Sequence, residues 1–134
     1  MPSTAAVSAI AAQAAREPVI RTIPSPADMN GNGDIFGGWV LSQMDIAGGN
    51  VAARVAKGRV ATVAITAMTF VQPIKVGDLV SIYGEVSKVG RSSVTIALET
   101  IVQRRLDPTP IQVTHGTFVF VAIDEDGKPR QVSP

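Results

Sequence analysis

From Arg59 to Asp124 four stretches are rich in the apolar and β-branched residues Val, Ile and Thr: about Arg59 to Ile74, Asp78 to Val89, Ser92 to Arg104 and Ile111 to Asp124. Enrichment of this kind predicts a β-strand in each. The links Lys75-Val-Gly-Asp78 and Val89-Gly-Arg91 are short enough for antiparallel hairpins. Leu106 to Pro110 reads as a proline-bearing turn and Asp124 to Gly127 as a final one. Upstream, Glu17 to Pro24 has β-branched residues in alternation and predicts a short first strand that ends at Pro-Ser-Pro.

Between these strands the pattern changes. Val40, Leu41, Met44, Ala47, Val51 and Val55 recur near 3.6 residues and predict one helix from Trp39 to about Lys57. Gly48 and Gly49 inside it each cost about 1 kcal/mol relative to Ala. Close approach to a sheet wrapped around the helix is the expected compensation. Lys57-Gly58 should close the helix, with a cation in the last turn and glycine beyond. Ahead of it, Asp28 to Gly38 holds four glycines and two asparagines, a loop that needs positive φ. One strand, one long helix and four antiparallel strands predict an α+β domain over residues 17–134. The alanine-rich stretch 1–16 predicts a flexible or weakly helical tail. An open sheet on one helix exposes edges, so self-association is expected.

Composition narrows the function classes. A chain of 134 residues has room for one core of ordinary size. Its 12 Lys and Arg against 11 Asp and Glu leave a formal charge of +1, no electrostatic footprint for nucleic acid or an anionic membrane. Without cysteine there is neither a disulfide framework nor a thiolate metal site, and His115 is the sole histidine. No apolar run approaches the ~20 residues of a membrane span, and no signal-peptide pattern opens the chain. A soluble protein of the cytoplasm is the expectation. Hydrophobic residues make up 46% but aromatics only 4%, so the core should be built from Ala, Val and Ile.

The junction from Asn30 to Asp45 carries the chemistry. Backbone N–H groups in the first turn of a helix lack internal partners and sit at the positive end of its dipole, so they are suited to polarise a carbonyl, and Gly37 and Gly38 let a substrate come close. Asp45 follows seven residues later, about two turns on, and returns to nearly the same face. Carboxylate and N–H donors are therefore expected to address one reacting carbon. A helical Asp is most often simply solvated, yet Met44, Ile46 and Ala47 around Asp45 predict a partly buried acid. Asp34 reads as a loop acceptor. Phe36 and Trp39 read as packing residues, Ser42 and Gln43 as solvated or substrate-facing, and His115 as structural.

The segment Asn30-Gly-Asn-Gly-Asp-Ile-Phe-Gly-Gly-Trp39, with Met44-Asp45 after it, resembles the signature of the YciA-like acyl-CoA thioesterases of the hotdog superfamily. Similarity continues through Phe70-Val-Gln-Pro73, Val76-Gly-Asp78, Lys88-Val-Gly-Arg-Ser-Ser93 and Thr117-Phe-Val-Phe-Val-Ala122, so it spans roughly Thr22 to Pro129. The resemblance implies a hotdog fold and hydrolysis of acyl-CoA to a carboxylic acid and CoA. It implies Asp45 as general base or nucleophile, Asn30 as the group that places water or thioester, and the Gly38 N–H as donor to the thioester oxygen. In relatives with paired hotdog units the asparagine and the acid come from different units. A homodimer is then the minimal catalytic unit, and the family's hexamers, as trimers of dimers, are the expected assembly.

For CoA the resemblance points to Lys88, Gly90, Arg91, Ser92 and Ser93, a basic, hydroxyl-bearing hairpin suited to phosphates. Arg59 and Arg104 are further cationic candidates. CoA enters as substrate and leaves as product, and no cofactor or metal is expected. Few aromatics leave no obvious stopper for the acyl chain, which implies broad chain-length specificity. Two departures stand out. The chain stops at Pro134 where relatives often continue, and His115-Gly116 falls where they often have an acidic or small residue. The rivals are a hotdog hydratase or dehydratase, which needs a histidine placed with an acid, and a non-catalytic acyl-CoA sensor, which would have lost the acid.

Overall fold

Residues 3–133 are described by a computed structural model. The β-branched stretches form β1 (Ile20–Thr22), β2 (Val60–Phe70), β3 (Leu79–Val89), β4 (Ser93–Arg104) and β5 (Asp107–Ala122). All pair antiparallel in one sheet of order β1–β3–β4–β5–β2. The alanine-rich start is a helix, α1 (Thr4–Ala15), which lies against β5. The long helix, α2 (Gly37–Ala56), lies across β2 to β5 on one face of the sheet.

Alternation places the core between α2 and that face. Met44, Ala47 and Ala52 meet Ile82, Ile96, Leu98, Phe118 and Phe120, all essentially inaccessible to solvent. Each large apolar side chain buried this way stabilises by roughly 1.5–3 kcal/mol. Gly48 is the point of closest approach: a Cβ there would stand 2.9 Å from both Leu98 and Phe120. The glycines weaken the helix and permit the contact that stabilises it.

The helix ends differ from expectation in informative ways. α2 begins at Gly37, two residues before the expected Trp39, because Phe36 takes the N-cap position without a side-chain cap. At the other end the left-handed residue is Lys57, φ 51°, and not the glycine. The cation on the last carbonyls is Arg130, whose Nη2 donates to Ala56 O at 3.0 Å. Gly58 serves that contact, since a Cβ on it would lie 2.6 Å from the Arg130 guanidinium.

The expected turn from Leu106 to Pro110 is shorter than read. Only Arg105 and Leu106 form it, and β5 already runs from Asp107. Pro108 and Pro110 fit in that strand because β2 pairs with β5 only from Thr114 onward and the register against β4 is irregular between Val102 and Arg104. A missing N–H breaks no ladder there. Arg104 forms an ion pair with the buried Asp78 and donates to Pro73 O, so it locks the β2–β3 connection.

Candidate functional site

The loop before α2 is held by its own polar groups. Oδ1 of Asn30 accepts from the N–H of Asn32 at 2.8 Å and of Asp34 at 3.2 Å. The Asn30 N–H donates to Asp34 O at 2.7 Å, and Gly33 takes φ 79° to close the turn. Asp34 forms an ion pair with Lys75, and Ile35 N–H donates to Ile74 O at 2.9 Å, which ties the loop to the sheet. Asp34 is therefore a structural acceptor. With its oxygen committed to the loop, Asn30 keeps its NH2 group, for which no acceptor is found among the described residues, as a donor toward a ligand.

At the start of α2 the N–H groups of Trp39 and Val40 turn back to Phe36 O at 3.0 and 3.4 Å. Gly37 and Gly38 occupy the first two helical positions, where an N–H has no intrahelical acceptor. Nothing lies within 4 Å of where a Cβ on Gly38 would be, so the space beside that residue is open. Gly37, expected with Gly38 to let a substrate come close, is likewise exposed. Trp39 packs against the core, but Phe36, expected to pack, is 50% exposed at the cap.

Asp45 is half-buried, as expected from its apolar neighbours. Its carboxylate has a fixed partner: Thr62 Oγ1 on β2 donates to Asp45 Oδ1 at 2.6 Å. Thr62 pairs with Phe120, a residue of the helix-bearing face, so its hydroxyl points toward α2. It stands in regular register with Val60 and Ala61, just before a register shift between Thr62 and Ala64.

Seven residues separate Gly38 from Asp45, about 10 Å at the rise of an α-helix, so the two groups share a face and are offset along the axis.

The basic hairpin lies at the other end of the helix. Gly90 N–H donates to Ser93 O at 2.8 Å, and a Cβ on Gly90 would fall 2.5 Å from Ser93 Oγ, so a larger residue there would have to turn the Ser93 hydroxyl aside. Lys88 and Arg91 are exposed, and Arg91, Ser92, Pro129, Arg130 and Gln131 line a shallow cleft of about 330 Å³. Arg91 is braced by the C-terminal segment: its carbonyl accepts from Val132 N–H at 2.8 Å, and its guanidinium bonds the Gln131 side-chain oxygen at 3.1 Å. Arg130 is spent on the carbonyls of Ala56, Ile123 and Gln131. Arg59 likewise donates to Asp124 O and Glu125 O. Of the cationic candidates, Lys88 and Arg91 keep their charge toward solvent, whereas Arg59 and Arg104 hold the fold.

His115 stands apart from all of this. Along β5 it alternates with the residues that face α2, so it points to the opposite side of the sheet. There it lines a groove of about 720 Å³ with Arg16, Glu17, Tyr83 and Glu99, its cross-strand neighbour. The sheet separates it from Asp45 and the unused N–H groups of its own chain.

Comparison with known proteins agrees with this geometry. A model of the thioesterase superfamily matches residues 32–106, the stretch from the glycine loop through β4. The acyl-CoA thioester hydrolase YciA of Salmonella typhimurium is 48% identical over 118 residues, 85% of this chain and 88% of that one. Among solved structures, a hexameric broad specificity acyl-coenzyme A thioesterase is 44% identical over 87% of this chain and 86% of that one, with a TM-score of 0.83. A hexameric hotdog fold thioesterase of Campylobacter jejuni is 35% identical over 88% of this chain and 91% of that one, also with a TM-score of 0.83. With α2 wrapped by a five-stranded antiparallel sheet and the acid and the hairpin inside the matched region, the chain belongs to the thioesterase superfamily and has the hotdog fold.

Proposed function

We propose that this protein hydrolyses acyl-CoA thioesters to free carboxylic acids and CoA. The observation that carries the reading is the half-buried Asp45 carboxylate, held by the Thr62 hydroxyl at 2.6 Å, on a helix whose first N–H groups are unused. A thioester oxygen accepting from Gly38 N–H, with that of Gly37 beside it, gains stabilisation as negative charge develops on it. Asp45 then acts either as general base, taking a proton from the attacking water, or as nucleophile, forming an anhydride that water opens. In both courses the C–S bond breaks, CoA leaves as thiolate, and a proton from the water restores the thiol. The Asn30 NH2 group places the water or the thioester.

The site is shared between two copies of the chain. The axial offset of about 10 Å between Gly38 and Asp45 supports this, because a second copy supplies the missing half. β2 is an edge of the sheet, and Val63 and Ile65 on it and Ile46 beside Asp45 are exposed apolar side chains. An unpaired apolar edge favours a homodimer. Three such dimers would make the hexamer for which the solved relatives are named.

Lys88 and Arg91, with Gly90, Ser92 and Ser93, bind the phosphates of CoA, and acyl specificity is broad. CoA is substrate and product, and no further cofactor is required. Among the described residues no helix is long and apolar enough to cross a membrane, and the place of action is the cytoplasm. Release of free thiol from a series of acyl-CoAs tests the reading, with hydration of crotonyl-CoA measured alongside. Thiol release is the expected result. Hydration without thiol release, or binding without turnover, overturns it.

A further inference from the structure

Strand β2 contains a second irregularity. Thr66 pairs with Thr117, but Thr69 pairs with His115 and Phe70 with Thr114, so one extra residue is inserted between Thr66 and Thr69. The insertion bends the chain through Ala67, which takes φ 51°, a conformation that a residue with a Cβ rarely adopts. Strain of this kind persists only where the surroundings hold it.

Parity shows what the insertion accomplishes. Thr114 lies on the face of β5 that bears α2, together with Phe118 and Phe120. Without the extra residue Thr69 would stand opposite Thr114, and Phe70 would turn to the other face. With it, the Phe70 ring reaches the start of α2, where its Cε1 and Cζ lie 3.5 and 3.6 Å from the position a Cβ on Gly37 would take. The ring remains 54% exposed. An open aromatic face thus stands beside two unused N–H donors, a pairing of apolar wall and carbonyl-binding group that matches an acyl thioester.

We propose that Phe70 determines acyl-chain specificity: it forms the wall along which the alkyl chain of the substrate lies when the thioester oxygen is on the Gly37 and Gly38 N–H groups. This rests on the thioesterase reading above. The chain gains contact with the ring for each methylene that reaches it, and an acetyl group is too short to gain much.

The test is kcat/KM for acetyl- to palmitoyl-CoA with wild type, Phe70→Leu and Phe70→Ala, accompanied by thermal denaturation and light scattering. Phe70→Ala should lose about five- to tenfold on chains of six carbons and longer and less than about threefold on acetyl-CoA, the worth of one to two buried methylenes. Phe70→Leu keeps an apolar wall and should recover most of that loss. A loss equal at every chain length, no loss, or a flat profile together with a changed oligomer overturns the proposal, the last by making Phe70 an assembly contact. Wild-type protein that releases no thiol from any acyl-CoA overturns the thioesterase reading itself, a result distinct from a flat profile.

Discussion

Replacing Asp45 with asparagine keeps the size of the side chain and its place beside Thr62 while removing its ability to take a proton or attack a carbonyl. The variant should melt close to wild type and bind CoA as wild type does, and its kcat should fall by two to four powers of ten, the usual worth of a general base. Wild-type turnover in this variant would remove Asp45 from the reaction. Arg91→Ala should behave in the opposite way. Its guanidinium faces the cleft beside Gln131, far from the thioester, and a contact made equally in ground and transition states raises KM more than it lowers kcat. Steady-state kinetics on one acyl-CoA separates the two signatures. Asp45 and the first-turn N–H groups were legible as candidates because helix start and acid follow one another along one helix, whereas Asn30 rested on the family resemblance. Thr62, Phe70 and Arg130 were not legible. Phe70 depends on an inserted residue in β2 that alternation conceals, and Thr62 and Arg130 meet their partners across 17 and 74 positions.

At the scale of elements, the two glycines of α2 make opposite predictions from the same sequence. A Cβ on Gly49 would stand at an ordinary 3.6 Å from Phe120, whereas one on Gly48 would be 2.9 Å from both Leu98 and Phe120. Gly49→Ala should therefore stabilise by up to about 1 kcal/mol through helix propensity. Gly48→Ala gains the same term and loses about 1–3 kcal/mol to overpacking, for a net destabilisation. Urea denaturation of the two variants checks this, and a Gly48→Ala protein more stable than wild type would show that the helix does not press on the sheet as described. The strands and the helix were legible because β-branched enrichment in the one and the 3.6 period in the other run over most of their length. The start of β5 was misread because proline marks a turn only where its missing N–H would be needed, and Pro108 and Pro110 lie where no β2 strand pairs. Which residue would adopt the left-handed helix end was equally hidden, since Gly58 answers to the distant Arg130 and leaves that conformation to Lys57.

For the whole molecule, the fold and the assembly are two parts of one account. The sheet covers one face of α2 and leaves β2 as an apolar edge, and the helix carries its acid about 10 Å from its N-terminal end. Same-face spacing was legible in the sequence, but the axial distance that goes with it acquires meaning only once the helix is seen to run unbroken from Gly37 to Ala56. A site divided between two chains makes a direct prediction. Asn30→Ala and Asp45→Asn, each impaired alone, are mixed after dissociation and allowed to reassociate. Every hybrid dimer then has one site with both residues intact and one with both replaced. With random pairing of a two-fold dimer, acyl-CoA hydrolysis should return to about a quarter of the wild-type rate, well above either variant alone. Activity in the mixture no greater than the mean of the two separate variants would contradict the shared site, and with it the central claim about how this fold hydrolyses a thioester.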